Sequence, residues 1–443
     1  MIGAVLRRMD DISNPVTVKE LRQTVKGRMT MVSMNLMLII LVAIIFFSLY
    51  AESQDDIGKS VFFGVVGVLA VIGTLILPLV LLARTGKERD PTEPDLMYIT
   101  ALKPHKIVLG KYAAGLSVMA LFLCTALPFL AFTYLLKGVD LITIGVTLLV
   151  GLMLTCLCMQ VAILLGTVPT KRNSRVGLIA AYVIIGWVFL TGFIPAMVLG
   201  GRGVVGIGFS PYLWHFVIIR RAISVFLFLL STASLMPPTA NRAFWPRVYL
   251  SGIWLVSLIW IVVFPSSSSL SVWIGCFFGV GFCTLMFGIA ERDRASVRIR
   301  RRIPRGQLKF LAFPFFSGSA SAIVWSCLMM VGTTFVGALS NGVDLFIGLG
   351  YVDSGEFLLQ MVMSANSVTG YCLLTFAFTR CCGRPELNRA SWFLALATML
   401  IMTATATLLR GASAMRSDEI YVISPFVGSS LGTTSIVAWL ALP

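Results

Sequence analysis

Long apolar runs alternate with short polar segments along almost the whole chain. Apolar runs occupy residues 30–50, 61–83, 112–136, 141–168 and 176–199. A less regular stretch, 203–236, is broken by Ser210-Pro211 and by the pair Arg220-Arg221. Runs 248–264 and 270–290 read as a hairpin about Pro265, and 312–339, 357–378 and 391–409 follow a basic loop. A last run, 420–440, contains Ser424-Pro425. One helical crossing of a bilayer takes about 20 apolar residues. The pattern therefore predicts an all-α, polytopic membrane protein with roughly 11–12 transmembrane helices.

Composition agrees. The 443 residues are 58% hydrophobic and only 12% charged, where a soluble domain carries about 25% charged residues. The net charge of +16 is distributed by side. If each run crosses once, 28 of the 35 lysines and arginines lie on the side of the N-terminus, in segments 1–29, 84–112, 169–176, 237–247, 291–311 and 379–390. The positive-inside rule then places the N-terminus in the cytoplasm. The charge faces anionic inner-leaflet lipid rather than nucleic acid. All 19 acidic residues fall in loops or the N-terminal tail. The absence of acids from the runs argues against ion-coupled transport, which uses intramembrane carboxylates. No cleavable signal peptide is expected, because residues 1–29 are polar and basic and the first run is too long.

Two polar segments carry more information. In 1–29, Asn14 suits an N-cap and Pro15 the first helical turn. Val18, Leu21 and Val25 share one face, and Lys19, Arg22, Lys26 and Arg28 supply charge. This predicts an amphipathic helix in the membrane interface before the first span, the alternative being a basic flank that only fixes orientation. In 84–111, Thr92 with Asp95 resembles a capping box for a short helix over 93–102. Leu96 and Ile99 lie on one side of that helix, and Pro104 restarts the chain toward the third span.

Asn14-Pro15-Val16 with Lys19-Glu20-Leu21-Arg22, then Glu88, then Thr100-Ala101-Leu102-Lys103-Pro104 with Ile107-Val108-Leu109-Gly110-Lys111, resembles the permease subunit of type-2 ABC transporters. The sodium-exporter-like and gliding-motility-like bacterial permeases are the relatives meant. Pro91-Thr92-Glu93-Pro94 stands where that family usually has a Gly-Thr pair. The resemblance covers about residues 13–236 and divides the chain into an N-terminal helix (1–29), a permease-like core (30–236) with a coupling loop (84–111), and additional spans (237–443) with a basic loop (291–311). It implies a bacterial inner-membrane transport subunit, an exporter in family terms, paired with a second permease subunit and with a separate ABC ATPase that binds ATP and magnesium. Coupling to that ATPase would fall to Glu88, Asp95, Leu96, Ile99 and Leu102. The interfacial helix would be held through Asn14, Pro15, Lys19, Glu20 and Arg22.

The remaining residues name no chemistry of their own. Gly58-Lys59-Ser60 approaches a phosphate loop, but Ser53 stands where GxxxxGK[ST] needs glycine. The nine cysteines, mostly within apolar runs, form no CxxC pair, and with two histidines no metal site is expected. No catalytic or cofactor-binding residue is expected in this chain. Ser271, Gly275, Gly279 and Cys283 repeat every four residues and predict close helix packing, as does Ser317–Ala322. His215, Arg220 and Arg221 read as snorkelling anchors or as contacts for lipid phosphate. The run from Arg292 to Arg305 reads as an inner-leaflet anchor or a protein-docking segment. Two other function classes remain: a structural or assembly membrane protein, and a membrane-embedded enzyme built on His105 with Asp90 and Asp95.

Overall fold

The structure is a computed structural model. It describes residues 15–50, 57–88, 103–136, 139–168, 176–184, 186–187, 190, 211–237, 240–263, 273–277, 279–281, 283–285 and 308–347. The chain divides into two compact units, Met1–Met236 and Pro237–Pro443. Among the described residues all regular structure is helical, and seven helices are long and apolar enough to cross a membrane. The protein is a polytopic all-α membrane protein. The runs at 357–378, 391–409 and 420–440 lie outside the described residues.

In the first unit, α1 (Pro15–Val25) leads through Gly27 into α2 (Arg28–Tyr50). A single rod follows, made of α3 (Ile57–Val71), a π-helical turn (Ile72–Ile76) and α4 (Leu77–Glu88). Then come α5 (Pro104–Leu135), α6 (Leu141–Thr167) and α7 (Pro211–Leu235). The rod packs on α6 and α5, α7 packs on α6 and α5, and α1 lies against the start of α5. Met37, Leu41, Val61, Val65, Phe122 and Met159 meet in one core. Small residues set the closest approaches. A Cβ on Gly166 would meet Thr85 Cβ at 2.8 Å, so α4 and α6 touch nearly backbone to backbone there. By contrast α2 leaves Ile39, Phe46 and Phe47 exposed, as a lipid-facing helix should.

The π-turn has a cause in the sequence. Pro78 has no N–H to give to the carbonyl four residues back, Thr74, and its ring crowds that carbonyl. The extra residue of a π-turn just before a proline relieves the crowding, and the Leu77 N–H bonds to Ile72 O instead. The buried Tyr182 hydroxyl donates to the Thr74 carbonyl that Pro78 leaves without its helical donor. Gly73 lets the bulged turn lie against Thr155, and Gly186 lets the neighbouring helical segment pass Leu75.

Two expectations are corrected. The pair Arg220-Arg221 does not break 203–236: α7 runs through it, starting at Pro211. Arginine is a good helix former, and Arg220 Nε donates to the Met153 carbonyl of α6 at 3.1 Å. The run 312–339 is not one helix. α9 (Leu308–Ala312) and a 3-10 turn (Phe313–Phe315) precede α10 (Ser319–Ile347), and α8 (Phe244–Val263) stands before them in the second unit. Pro314 and Gly318, at φ 144°, make the break, and Ser317, Ser321 and Ala322 beside it are buried. Finally, among the described residues nothing lies within 4 Å of a Cβ added to Gly275 or Gly279. A tight contact lies two residues beyond Gly279, on another face, where a Cβ on Gly281 would meet Met330 at 2.6 Å.

Within the second unit, buried polar groups join the helices. Arg247 Nη1 donates to the carbonyls of Pro314 at 2.8 Å and Phe316 at 2.6 Å, and to Ser321 Oγ at 3.2 Å. Asn241 bonds Phe315 O and the Ser317 N–H, both at 3.1 Å. Trp254, Trp273 and Trp325 each place the indole N–H on a hydroxyl: Thr333, Ser257 and Ser251. In an apolar surrounding each of these donors would otherwise be costly.

Candidate functional site

One end of the first unit gathers the ends of several helices. The last turn of α7 meets Val16 and Ile107 through Leu235, and Ser234 Oγ donates to Thr167 Oγ1 at the end of α6, at 2.7 Å. The last turn of α4 and the first turns of α5 lie at the same end, and between them runs the segment 89–102.

Ion pairs and hydrogen bonds tie α1 to both flanks of that segment. Lys111 sits in the second turn of α5, in the apolar setting Ile107-Val108-Leu109-Gly110-Lys111-Tyr112. Its ammonium is 1% exposed and cannot reach bulk water. Glu20 of α1, also 1% exposed, pairs with it directly. Glu88, the last residue of α4 and 15% exposed, pairs with it at 2.6 Å. Lys19 adds a second positive charge near Glu88. A charge taken out of water this far is tolerated only when paired and hydrogen-bonded. Here one ammonium satisfies two carboxylates from two other helices.

The second tie is Arg84, one turn earlier on α4. Its Nη1 donates to Thr24 Oγ1 at 2.7 Å and its Nη2 to the Gln23 carbonyl at 3.1 Å. A cation thus caps the C-terminal end of α1, where carbonyls lack helical partners and the helix dipole is negative. Gly27 makes room for it, since an added Cβ would lie 2.6 Å from Arg84 Nη2. Behind Arg84, a cavity of about 20 Å³ is bounded by Glu20, Thr24, Leu81, Gly115 and Met159. That volume is about one water.

Several expected site residues are thereby placed. Glu20 and Glu88 come together on Lys111. Pro15 opens α1, Lys19 lies beside Glu88, and Arg22 is exposed. Asn14, Asp95, Leu96, Ile99 and Leu102 lie outside the described residues, as do Asp90 and the run from Arg292 to Arg305. His105 is exposed in the first turn of α5. On α1, Val16, Glu20 and Thr24 share the face that packs on the protein, and Leu21 also lies against the core. Val18 and Val25 stay 38% and 43% exposed. Sequence reasoning missed Lys111 and Arg84. The signal was available for Lys111, a lone lysine inside an apolar stretch that must find a carboxylate.

Among the described residues no group of three or more His, Cys, Asp or Glu could hold a metal. What the arrangement does is mechanical: it ties α1 to the end of α4 and the start of α5. Compared with known proteins, the chain matches no family model, no curated protein and no solved structure.

Proposed function

We propose that this membrane protein is the permease subunit of an ATP-driven ABC transporter of the type-2 class, energised by a separate ATPase chain. The observation that carries the reading is the buried Glu20–Lys111–Glu88 cluster, which joins the helix before the first span to both flanks of segment 89–102. A partner pressing on that segment moves three helix ends together, and paired charges at low exposure make the linkage stiff. The stroke enters as rigid-body motion, and no phosphate-binding chemistry is required of this chain. In this reading the N-terminus is cytoplasmic, the membrane is a bacterial inner membrane, two permease subunits assemble with two ATPase chains, and cargo moves outward. Glu88, Asp95, Leu96, Ile99 and Leu102 form the receiving surface, while Lys19, Glu20 and Arg22 hold α1.

The test is affinity purification of the tagged chain from native membranes, read by mass spectrometry and by ATP hydrolysis in the eluate. A co-purifying P-loop ATPase, whose hydrolysis loses its response to the membrane subunit in Glu88→Lys, supports the reading. A preparation free of ATPase and of nucleotide turnover, in a detergent that preserves such complexes, overturns it in favour of a structural or assembly role.

A further inference from the structure

At the α1 end of the first unit the acids turn inward and the cations outward. Glu20 and Glu88 are the acidic residues of α1, α4 and the first turns of α5, and both are taken up by Lys111. Arg22, Lys26, Arg28, Lys87 and Lys103 are exposed around them. The described surface at this end therefore carries positive charge with no exposed acid on those helices to balance it.

Around α1 the side chains form three arcs. Val16, Glu20 and Thr24, four residues apart, face the protein. At about 3.6 residues per turn, the next arc is Leu21, Val25 and Val18, and the one beyond it is Arg22 and Lys26. Met29, just past Gly27, extends the exposed apolar arc. Only two residues separate α1 from α2, which enters the membrane, so α1 is held at the bilayer boundary. A helix there, with an apolar arc beside a basic arc, has the form that buries one side at the acyl boundary and sets the other among headgroups.

We propose that this face is a docking surface for anionic phospholipid headgroups. Val18, Val25 and Met29 enter the acyl boundary, and Arg22, Lys26, Arg28 and Lys87 meet phosphodiesters. An acidic protein surface would match the charges but not the exposed valines and methionine beside them at the bilayer edge. Because Glu20 and Arg84 fasten α1 to the start of α5 and the end of α4, lipid charge on α1 bears on both of those helix ends, which is the regulatory consequence under the permease reading. Lipid docking itself does not depend on the permease reading; the regulatory consequence does.

The full-length protein is placed in nanodiscs of phosphatidylcholine, with and without phosphatidylglycerol, and amide hydrogen exchange is followed over residues 15–29. No ATPase is needed, so failure of the permease reading leaves this result intact. Anionic lipid is expected to slow exchange about tenfold. The variant Arg22→Gln/Lys26→Gln/Arg28→Gln/Lys87→Gln, which keeps the buried ion cluster, is expected to abolish that difference. Equal exchange in the two lipids overturns the proposal. A difference that survives in the variant also overturns it, because these cations would not be its source. Protection that appears only on adding an acidic soluble protein, and never with lipid, assigns the face to a protein partner and likewise overturns it.

Discussion

Replacing Lys111 by methionine tests the ion cluster most directly. The Lys111–Glu88 contact at 2.6 Å is worth about 6 kcal/mol in gross attraction at an effective dielectric of about 20, most of it offset by desolvation. The net effect of a substitution therefore depends on what it leaves behind. Lys111→Met leaves two buried carboxylates with no ammonium between them, and breaking a buried pair in this way costs about 3–5 kcal/mol. Glu88→Gln leaves the Glu20–Lys111 pair intact, removes the more exposed member of the cluster, and should cost about 1 kcal/mol or less. Combining Lys111→Met with Glu20→Gln and Glu88→Gln leaves no buried charge and should recover most of the loss. Thermal unfolding in nanodiscs, followed by tryptophan fluorescence, reads these differences. Lys111→Met should lower the midpoint by about 10 °C, at about 2–4 °C per kcal/mol, with Glu88→Gln near wild type and the triple variant between. A Lys111→Met midpoint within about 2 °C of wild type would refute the reasoning, as would a triple variant less stable than Lys111→Met.

Tyr182→Phe should cost about 1–3 kcal/mol by orphaning the Thr74 carbonyl; Pro78→Ala restores a helical N–H to that carbonyl, so a double-mutant cycle on unfolding midpoints should show the tyrosine effect shrinking in the alanine background. Arg247→Met removes the donor shared by Pro314 O, Phe316 O and Ser321 Oγ and should cost about 2–4 kcal/mol, with faster limited proteolysis at 313–318 as the readout. Gly166→Val forces a side chain into Thr85 and should destabilise by about 1–3 kcal/mol, whereas Gly275→Val, with no described neighbour within 4 Å of its Cβ, should leave the unfolding midpoint unchanged.

The helices were largely legible because hydrophobic length is a strong signal. The expected 141–168 becomes α6 at Leu141–Thr167, and Pro104 does restart the chain ahead of the third span. What sequence could not supply was partnership at long range. Glu20 and Glu88 were recognisable as residues of interest, but the cation that unites them stands 91 residues from the first and 23 from the second. Counting basic residues for orientation treated Lys111 and Arg247 as solvated loop charges, yet both are buried, each drawn in by acceptors on another element. At Gly275 and Gly279 periodicity reports which residues share a face, not which face meets a neighbour, and no described residue lies within 4 Å of either added Cβ. Gly318 and Pro314 were visible as helix breakers, but the apolar character of the run around them concealed the break.

The Tyr182–Thr74 contact also bears on biogenesis. The donor that completes the rod is encoded 108 residues after the carbonyl it serves. A ribosome delivering the rod to the membrane would release it with the Thr74 carbonyl lacking both a Pro78 N–H and the Tyr182 hydroxyl, and a backbone group left unsatisfied in hydrocarbon costs several kcal/mol. The second crossing is thus a provisional guest of the bilayer until residue 182 emerges. Truncations ending between residues 110 and 175 should accumulate an insertion intermediate held by the translocation machinery, and extension past residue 190 should let the membrane take it up.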